Sequence, residues 1–231
     1  MNCELYTAGE YLARNPTWHA EDSAWKAGRI LTMLERHDLR PQTICEVGCG
    51  VGEILRELHD RLDHEPEFIG YEISPHALER ARAHSSRRLE FRLGNVLDDS
   101  EHFEMVLLID VIEHVEDYFS MLRGLRTRSD YTVMHIPLEL CALSVLLEAP
   151  LISSRERLGH LHFFTKETAL GMLRRIGYEI VDWTYTPASS HYPPGSWKLQ
   201  ALERARRIAF PLSETAAVRL FGGYSLLVLA R

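Results

Sequence analysis

The chain has 231 residues and only four cysteines, Cys3, Cys45, Cys49 and Cys141, with no C-x-x-C pair among them. A disulfide framework and a zinc ribbon are both excluded on that pattern. Long apolar runs are also missing. The greasiest stretch, Leu138 to Ile152, is broken by Glu139, Glu148 and Pro150 and is too short to span a bilayer. The N-terminal segment MNCELYTAGEYLARN has early charges and no apolar h-region, so no secretory signal peptide is expected. Positive charge is in deficit: 26 Lys+Arg against 33 Asp+Glu give a net charge of −7. A phosphate-tracking surface is not the default for such a chain. These absences lead to the expectation of a cytoplasmic protein in a reducing compartment, with no membrane partner and nucleic acid disfavoured. What is present is an ordinary globular mixture, 45% hydrophobic and 26% charged, which excludes disordered and low-complexity classes.

A single domain over residues 1–231 is expected. Its first forty residues are helical, with Trp25, Ile30, Leu31 and Leu34 on one stripe. Short β-prone runs then alternate with helical segments. The strands fall at Thr43–Val47, Phe68–Tyr71, Leu89–Leu93, Met105–Ile109, Tyr131–Ile136, Glu179–Tyr185 and Tyr224–Leu229. The helices fall at Glu53–Leu62, Pro75–His84, Val115–Leu125 and Glu167–Ile176. Such alternation predicts an α/β fold with a doubly wound, mostly parallel sheet. Residues 43–185 form its cofactor-binding core. Residues 138–164 and 186–222 are long connections, read as helical insertions, with a helix over Leu199–Phe210. In such sheets ligands lie beyond the carboxyl ends of the strands, and the first insertion leaves from that end.

Glu46-Val47-Gly48-Cys49-Gly50-Val51-Gly52 joins the first strand to its helix. Its spacing is E-x-G-x-G-x-G, not the G-x-G-x-x-G of a dinucleotide site. A carboxylate just before the turn repels a pyrophosphate and suits a cation or an amine. Glu72 closes the second strand, where a carboxylate can accept from ribose hydroxyls. A phosphate-free adenosyl ribose attached to something cationic satisfies both acids. S-adenosylmethionine, with its sulfonium and methionyl amine, is such a ligand.

Residues 43–185 resemble the class I S-adenosylmethionine-dependent methyltransferases, small-molecule branch. Glu46 to Gly52 is similar to that family's first motif, and Glu72 to its ribose-binding acid. Gly94-Asn95-Val96 follows the third strand, where the family places an adenine contact. Asp110-Val111-Ile112-Glu113-His114-Val115 resembles the D-V-x-E-H-V segment of the same branch, as do Phe163-Phe164-Thr165 and Leu173 to Tyr178. The resemblance implies a Rossmann-like, seven-stranded methyltransferase fold. It also implies a cofactor site of Glu46, Gly48, Cys49, Gly50, Gly52, Glu72, Ile73, Asn95, Val96, Asp110 and Val111, and a small-molecule acceptor methylated on oxygen or nitrogen.

Removing a proton from such an acceptor suits histidine near neutral pH. His114, just past the fourth strand, is the first candidate and His162 the second. His135, within the fifth strand, reads as a buried structural residue. His160 and His162 flank Leu161, and strand-like alternation would put both on one face. No resident metal is expected in the preferred reading. An alternative is a metal-dependent RNA terminal 2′-O-methyltransferase, whose E-x-x-E-H and later histidine resemble Asp110, Glu113, His114 and His160 or His162. A non-catalytic cofactor-binding module is the other. Residues 1–40, with Trp18, His19, Trp25 and Lys26, can form a lid over the cofactor. Tyr192-Pro193-Pro194-Gly195 can line an acceptor pocket or a homodimer contact.

Overall fold

The computed structural model describes residues 15–18, 20–187 and 197–231. The Tyr192–Gly195 loop and His19 lie outside the described residues. Seven strands form one sheet: β1 Thr43–Val47, β2 Glu67–Glu72, β3 Leu89–Leu93, β4 Phe103–Ile109, β5 Ser129–Pro137, β6 Ile180–Pro187 and β7 Tyr224–Ala230. Their spatial order is β3-β2-β1-β4-β5-β7-β6. The strands from β3 across to β5 pair in parallel. Only β7 runs against its neighbours, β5 and β6.

The helices are α1 Ser23–Arg36, α2 Glu53–Arg61, α3 Pro75–Ala81, α4 Tyr118–Arg126, α5 Ala142–Leu147, α6 Ala149–Leu158, α7 Lys166–Ile176, α8 Trp197–Leu212 and α9 Glu214–Phe221. One apolar cluster joins Ile30, Leu34, Leu55, Leu58, Leu78 and Met105, so α1, α2 and α3 cover one face of the sheet. A second joins Leu122, Leu125, Leu170, Leu173, Val106 and Leu108, so α4 and α7 cover the other. Burial on both faces explains the wholly apolar run Met105–Ile109 of β4. Neighbouring positions Met105, Val106, Leu107 and Leu108 are all fully buried.

The start of one helix differs from the periodicity by three residues. α4 begins at Tyr118 rather than Val115, because Asp117 caps it, accepting from the Ser120 N–H at 3.0 Å. Residues 112–114 form a separate 3₁₀ turn. Both insertions are helical: α5 and α6 make a hairpin, and α8 and α9 make a second pair. Strand order reverses between β1 and β4, and the crevice of a doubly wound sheet opens at that reversal.

Candidate active site

β1 carries Glu46 to the reversal point, where it pairs with Gly70 of β2 and Leu107 of β4. The chain then turns on Gly48, Gly50 and Gly52, whose φ angles are +71°, +55° and +80°. Gly48 N–H and Cys49 N–H both donate to the Tyr71 carbonyl, at 2.8 and 3.1 Å, closing the turn onto β2. Space is limiting as well as conformation. A Cβ on Gly48 would stand 2.9 Å from Val111 Cγ2, and one on Gly52 2.6 Å from Phe91 Cζ. Gly52→Ala should therefore lower stability by roughly 2–4 kcal/mol, from left-handed strain and overpacking together. Urea denaturation measures this directly, and an unchanged midpoint would show that the turn has slack.

Glu72 ends β2 and is 4% exposed. Its Oε2 accepts from Gly50 N–H at 2.8 Å, and its Oε1 accepts from Ile73 N–H and Ser74 N–H, each at 2.8 Å. A carboxylate has about four acceptor positions, so the backbone occupies most of them. Glu72 is first the anchor of the glycine turn, and only its remaining capacity is open to a ribose. Burial pushes its carboxyl up, against the pull of those N–H donors. Glu46 is buried, and its Oε2 has no hydrogen-bond partner among the described residues. Burial, opposed by Lys26 and reinforced by Glu72, raises its carboxyl well above the usual range. An amine-bearing cation would satisfy that orphaned oxygen, so these residues fit the ligand inferred from the sequence.

Asp110 sits past the end of β4 with φ +55°, strained for a side chain other than glycine. Its Oδ2 meets Lys26 Nζ at 2.7 Å and its Oδ1 meets His135 Nδ1 at 2.6 Å. His135 Nε2 lies 2.9 Å from Thr186 Oγ1. His135 is thus buried with both ring nitrogens engaged. Burial works against ionisation of Asp110, but His135 and Lys26 outweigh it and hold the carboxyl below the usual range.

The histidines divide. His114 Nδ1 lies 3.3 Å from the Gly159 carbonyl, the geometry of an Nδ1–H donor that leaves Nε2 as the basic nitrogen. Burial, with His160 beside it, lowers the His114 pKa to about 4. The His114 and His160 ring centroids are 4.7 Å apart, edge to face. His160 Nδ1 contacts Glu139 Oε2 at 2.6 Å, and Ser154 Oγ donates to Glu139 Oε1 at 2.5 Å. His162 turns elsewhere: its Nε2 lies 3.0 Å from the Val115 carbonyl, and its ring packs on Tyr118. The expected shared face fails because residues 160–165 form no strand. Instead Leu161 N–H and His162 N–H both donate to the Glu113 carbonyl, at 2.7 and 3.2 Å. Both carboxyl oxygens of Glu113 are buried without a hydrogen-bond partner among the described residues. Burial, with Asp110 adding its charge, pushes that carboxyl well up. Glu113, His114 and His160 each offer one ligand atom, all within 4.8 Å of one another. They could hold a divalent ion, whereas Asp110 is taken by Lys26 and His135.

These groups border one cavity of about 690 Å³. Of the residues inferred from sequence, Glu46, Gly48, Cys49, Gly50, Glu72, Ile73, Asn95, Val96, Asp110, Val111 and His114 line it. Gly52 and His162 do not. Asn95 also caps a 3₁₀ turn, its Oδ1 accepting from Leu97 N–H at 3.0 Å. Burial raises the Cys49 thiol well above its usual range and the nearby Glu46 and Glu72 add to the rise, which disfavours the thiolate a nucleophile needs. The sequence reading passed over Glu139 and Ser154. Trp18, Trp25 and Lys26 supply the wall on the N-terminal side. The far end is apolar, with Leu143, Leu147 and Leu151 from the first insertion and Leu199, Leu202 and Phe221 from the second.

Comparison with known proteins follows the same lines. No curated protein matches the chain in sequence. Among solved structures it resembles the magnesium protoporphyrin IX methyltransferase ChlM from Synechocystis, solved with S-adenosylhomocysteine (SAH). Identity is 16%, coverage is 90% of this chain and 82% of that one, and the TM-score is 0.61. It resembles the N-methyltransferase NodS from Bradyrhizobium japonicum, also solved with S-adenosyl-L-homocysteine, at 14% identity, 89% and 85% coverage and TM-score 0.58. A SAM-dependent methyltransferase from Archaeoglobus fulgidus is similar at 17% identity, 88% and 93% coverage and TM-score 0.58. At such identities the likeness is one of fold. The family described as "Methyltransferase domain" matches residues 18–182, most of the chain. The chain therefore belongs to the methyltransferase-domain family and carries the fold of its S-adenosylmethionine-dependent members.

Proposed function

We propose that the protein transfers the methyl group of S-adenosylmethionine to an oxygen or nitrogen atom of a small molecule. The observation that carries this reading is the sharing of one cavity by the Glu46–Glu72 end and the His114–His160 pair. S-adenosylmethionine, when bound, supplies an electrophilic methyl group on a sulfonium. Glu46 meets the cationic methionyl end, Glu72 fixes the glycine turn and contacts the ribose, and Asn95 and Val96 border the adenine. His114 Nε2 takes the acceptor's proton. Glu139, 2.6 Å from His160 Nδ1, holds that ring edge-to-face against His114 and so positions the base. The apolar walls exclude water.

The test is calorimetry with S-adenosylmethionine, its demethylated product and NAD, of which the first two should bind. Incubating labelled cofactor with a metabolite extract then identifies the acceptor. Binding without any labelled product would favour the cofactor-binding module. Activity abolished by a chelator and restored by a divalent ion would assign Glu113, His114 and His160 to a metal instead, and labelled RNA ends would identify that acceptor.

A proton should leave on cofactor binding. Burial disfavours the ionised form of Glu46 in the free protein and raises its carboxyl well above the usual range. A cation against it restores the ionised form, so affinity rises with pH. Calorimetry in buffers of different ionisation enthalpy should give release of up to about one proton, and Glu46→Gln should remove the release.

A further inference from the structure

Large apolar side chains are usually scattered on a protein surface and their clustering marks an interaction face. Here they cluster on the two insertions. At the α5–α6 hairpin tip Val145, Leu146, Leu147 and Ile152 are all exposed, Leu146 by 80%. Along α8, Trp197, Arg204, Ile208 and Leu212 follow at intervals of seven, four and four residues, with Arg207 three beyond Arg204, and all are exposed, Ile208 by 69% and Leu212 by 82%. Leu147 and Leu199 are both exposed and both line the cavity, so its border reaches the surface on each insertion.

Charge follows the same division. In a chain of net charge −7, residues 197–222 hold five Lys or Arg against two Glu. Arg206 turns inward to the Phe221 carbonyl and Glu203 and Arg219 meets Glu167 at 3.3 Å, but Arg204 and Arg207 are exposed. On the hairpin, exposed Glu148 and Glu156 are offset by exposed Arg155 and Arg157.

We propose that these two insertions dock the protein on an anionic lipid bilayer. Apolar side chains interleaved with arginine on one helical face suit the headgroup region, where the arginines meet lipid phosphates. No helix among the described residues is long and apolar enough to cross a membrane, so the contact is peripheral. A second copy fits less well, because a two-fold contact would bring Arg204 and Arg207 toward their own copies. Nucleic acid also fits less well, because the exposed side chains among the arginines are mostly aliphatic, with Trp197 the one aromatic among them, too few for a row of stacked bases. Resting on the methyl-transfer reading above, a lipid-soluble acceptor would enter the cavity from the bilayer past Leu147 and Leu199.

Co-sedimentation tests the docking without any acceptor. The full chain should sediment with vesicles of mixed phosphatidylglycerol and phosphatidylcholine, much less with phosphatidylcholine alone, and less as salt rises. R204S/R207S and L146S/L212S should each reduce partitioning about tenfold or more. None of the four residues lines the cavity, so calorimetric affinity for S-adenosylmethionine should stay unchanged in both variants, which also reports that they fold. Wild-type protein left in the supernatant with anionic vesicles overturns the proposal. So does ultracentrifugation showing a dimer that L146S/L212S dissociates. Loss of cofactor binding in the wild type would instead count against the methyl-transfer reading and leave the sedimentation result standing.

Discussion

Glu72→Ala should weaken S-adenosylmethionine binding about a hundredfold or more, ~3 kcal/mol. The size follows from what the carboxylate holds. Three backbone N–H groups, of Gly50, Ile73 and Ser74, lose their acceptor at once, and the ribose loses its partner. Each buried donor left unsatisfied costs about 1–3 kcal/mol. Part of the loss therefore appears in the free protein as lower stability, and part as a glycine turn no longer shaped for the ligand. Calorimetry separates binding from thermal denaturation. Glu72→Gln should be intermediate, since its carbonyl oxygen still accepts. An alanine variant that binds as the wild type does would remove Glu72 from the cofactor site.

Replacing His114 or His160 by alanine should lower turnover about 10²- to 10⁴-fold with cofactor affinity nearly intact. Because the rings touch and Glu139 braces only one of them, the double variant should be scarcely worse than either single one. Glu139→Gln should act through His160, shifting the pH dependence of kcat more than it changes cofactor binding. His162→Ala is the control. Its ring is tied to the Val115 carbonyl and packed on Tyr118, so it should affect stability and leave the pH profile alone. Turnover that survives loss of both His114 and His160 would leave proton removal to solvent.

Much of this arrangement is legible in the residues because it is local. The β-prone run, three glycines and amphipathic helix of residues 43–61 specify their own conformation. The register that brings Glu72 to Gly50 follows from β1 and β2 pairing in parallel. Features made by distant contacts were not legible. Nothing near Lys26 signals that its ammonium ends on Asp110. Glu139 sits in a segment that reads as greasy, and its partner His160 lies on the far side of a helical hairpin. The expectation that His160 and His162 share one face rests on a period-two pattern. That pattern needs a ladder, and two N–H groups sharing the Glu113 carbonyl replace it.

The chain Lys26–Asp110–His135–Thr186 links α1, the end of β4, β5 and β6 through contacts of 2.7, 2.6 and 2.9 Å. Arg36 and His37 add a second fastening to Asp182, at 2.9 and 2.8 Å. Riveted at both ends, α1 cannot swing out as a door.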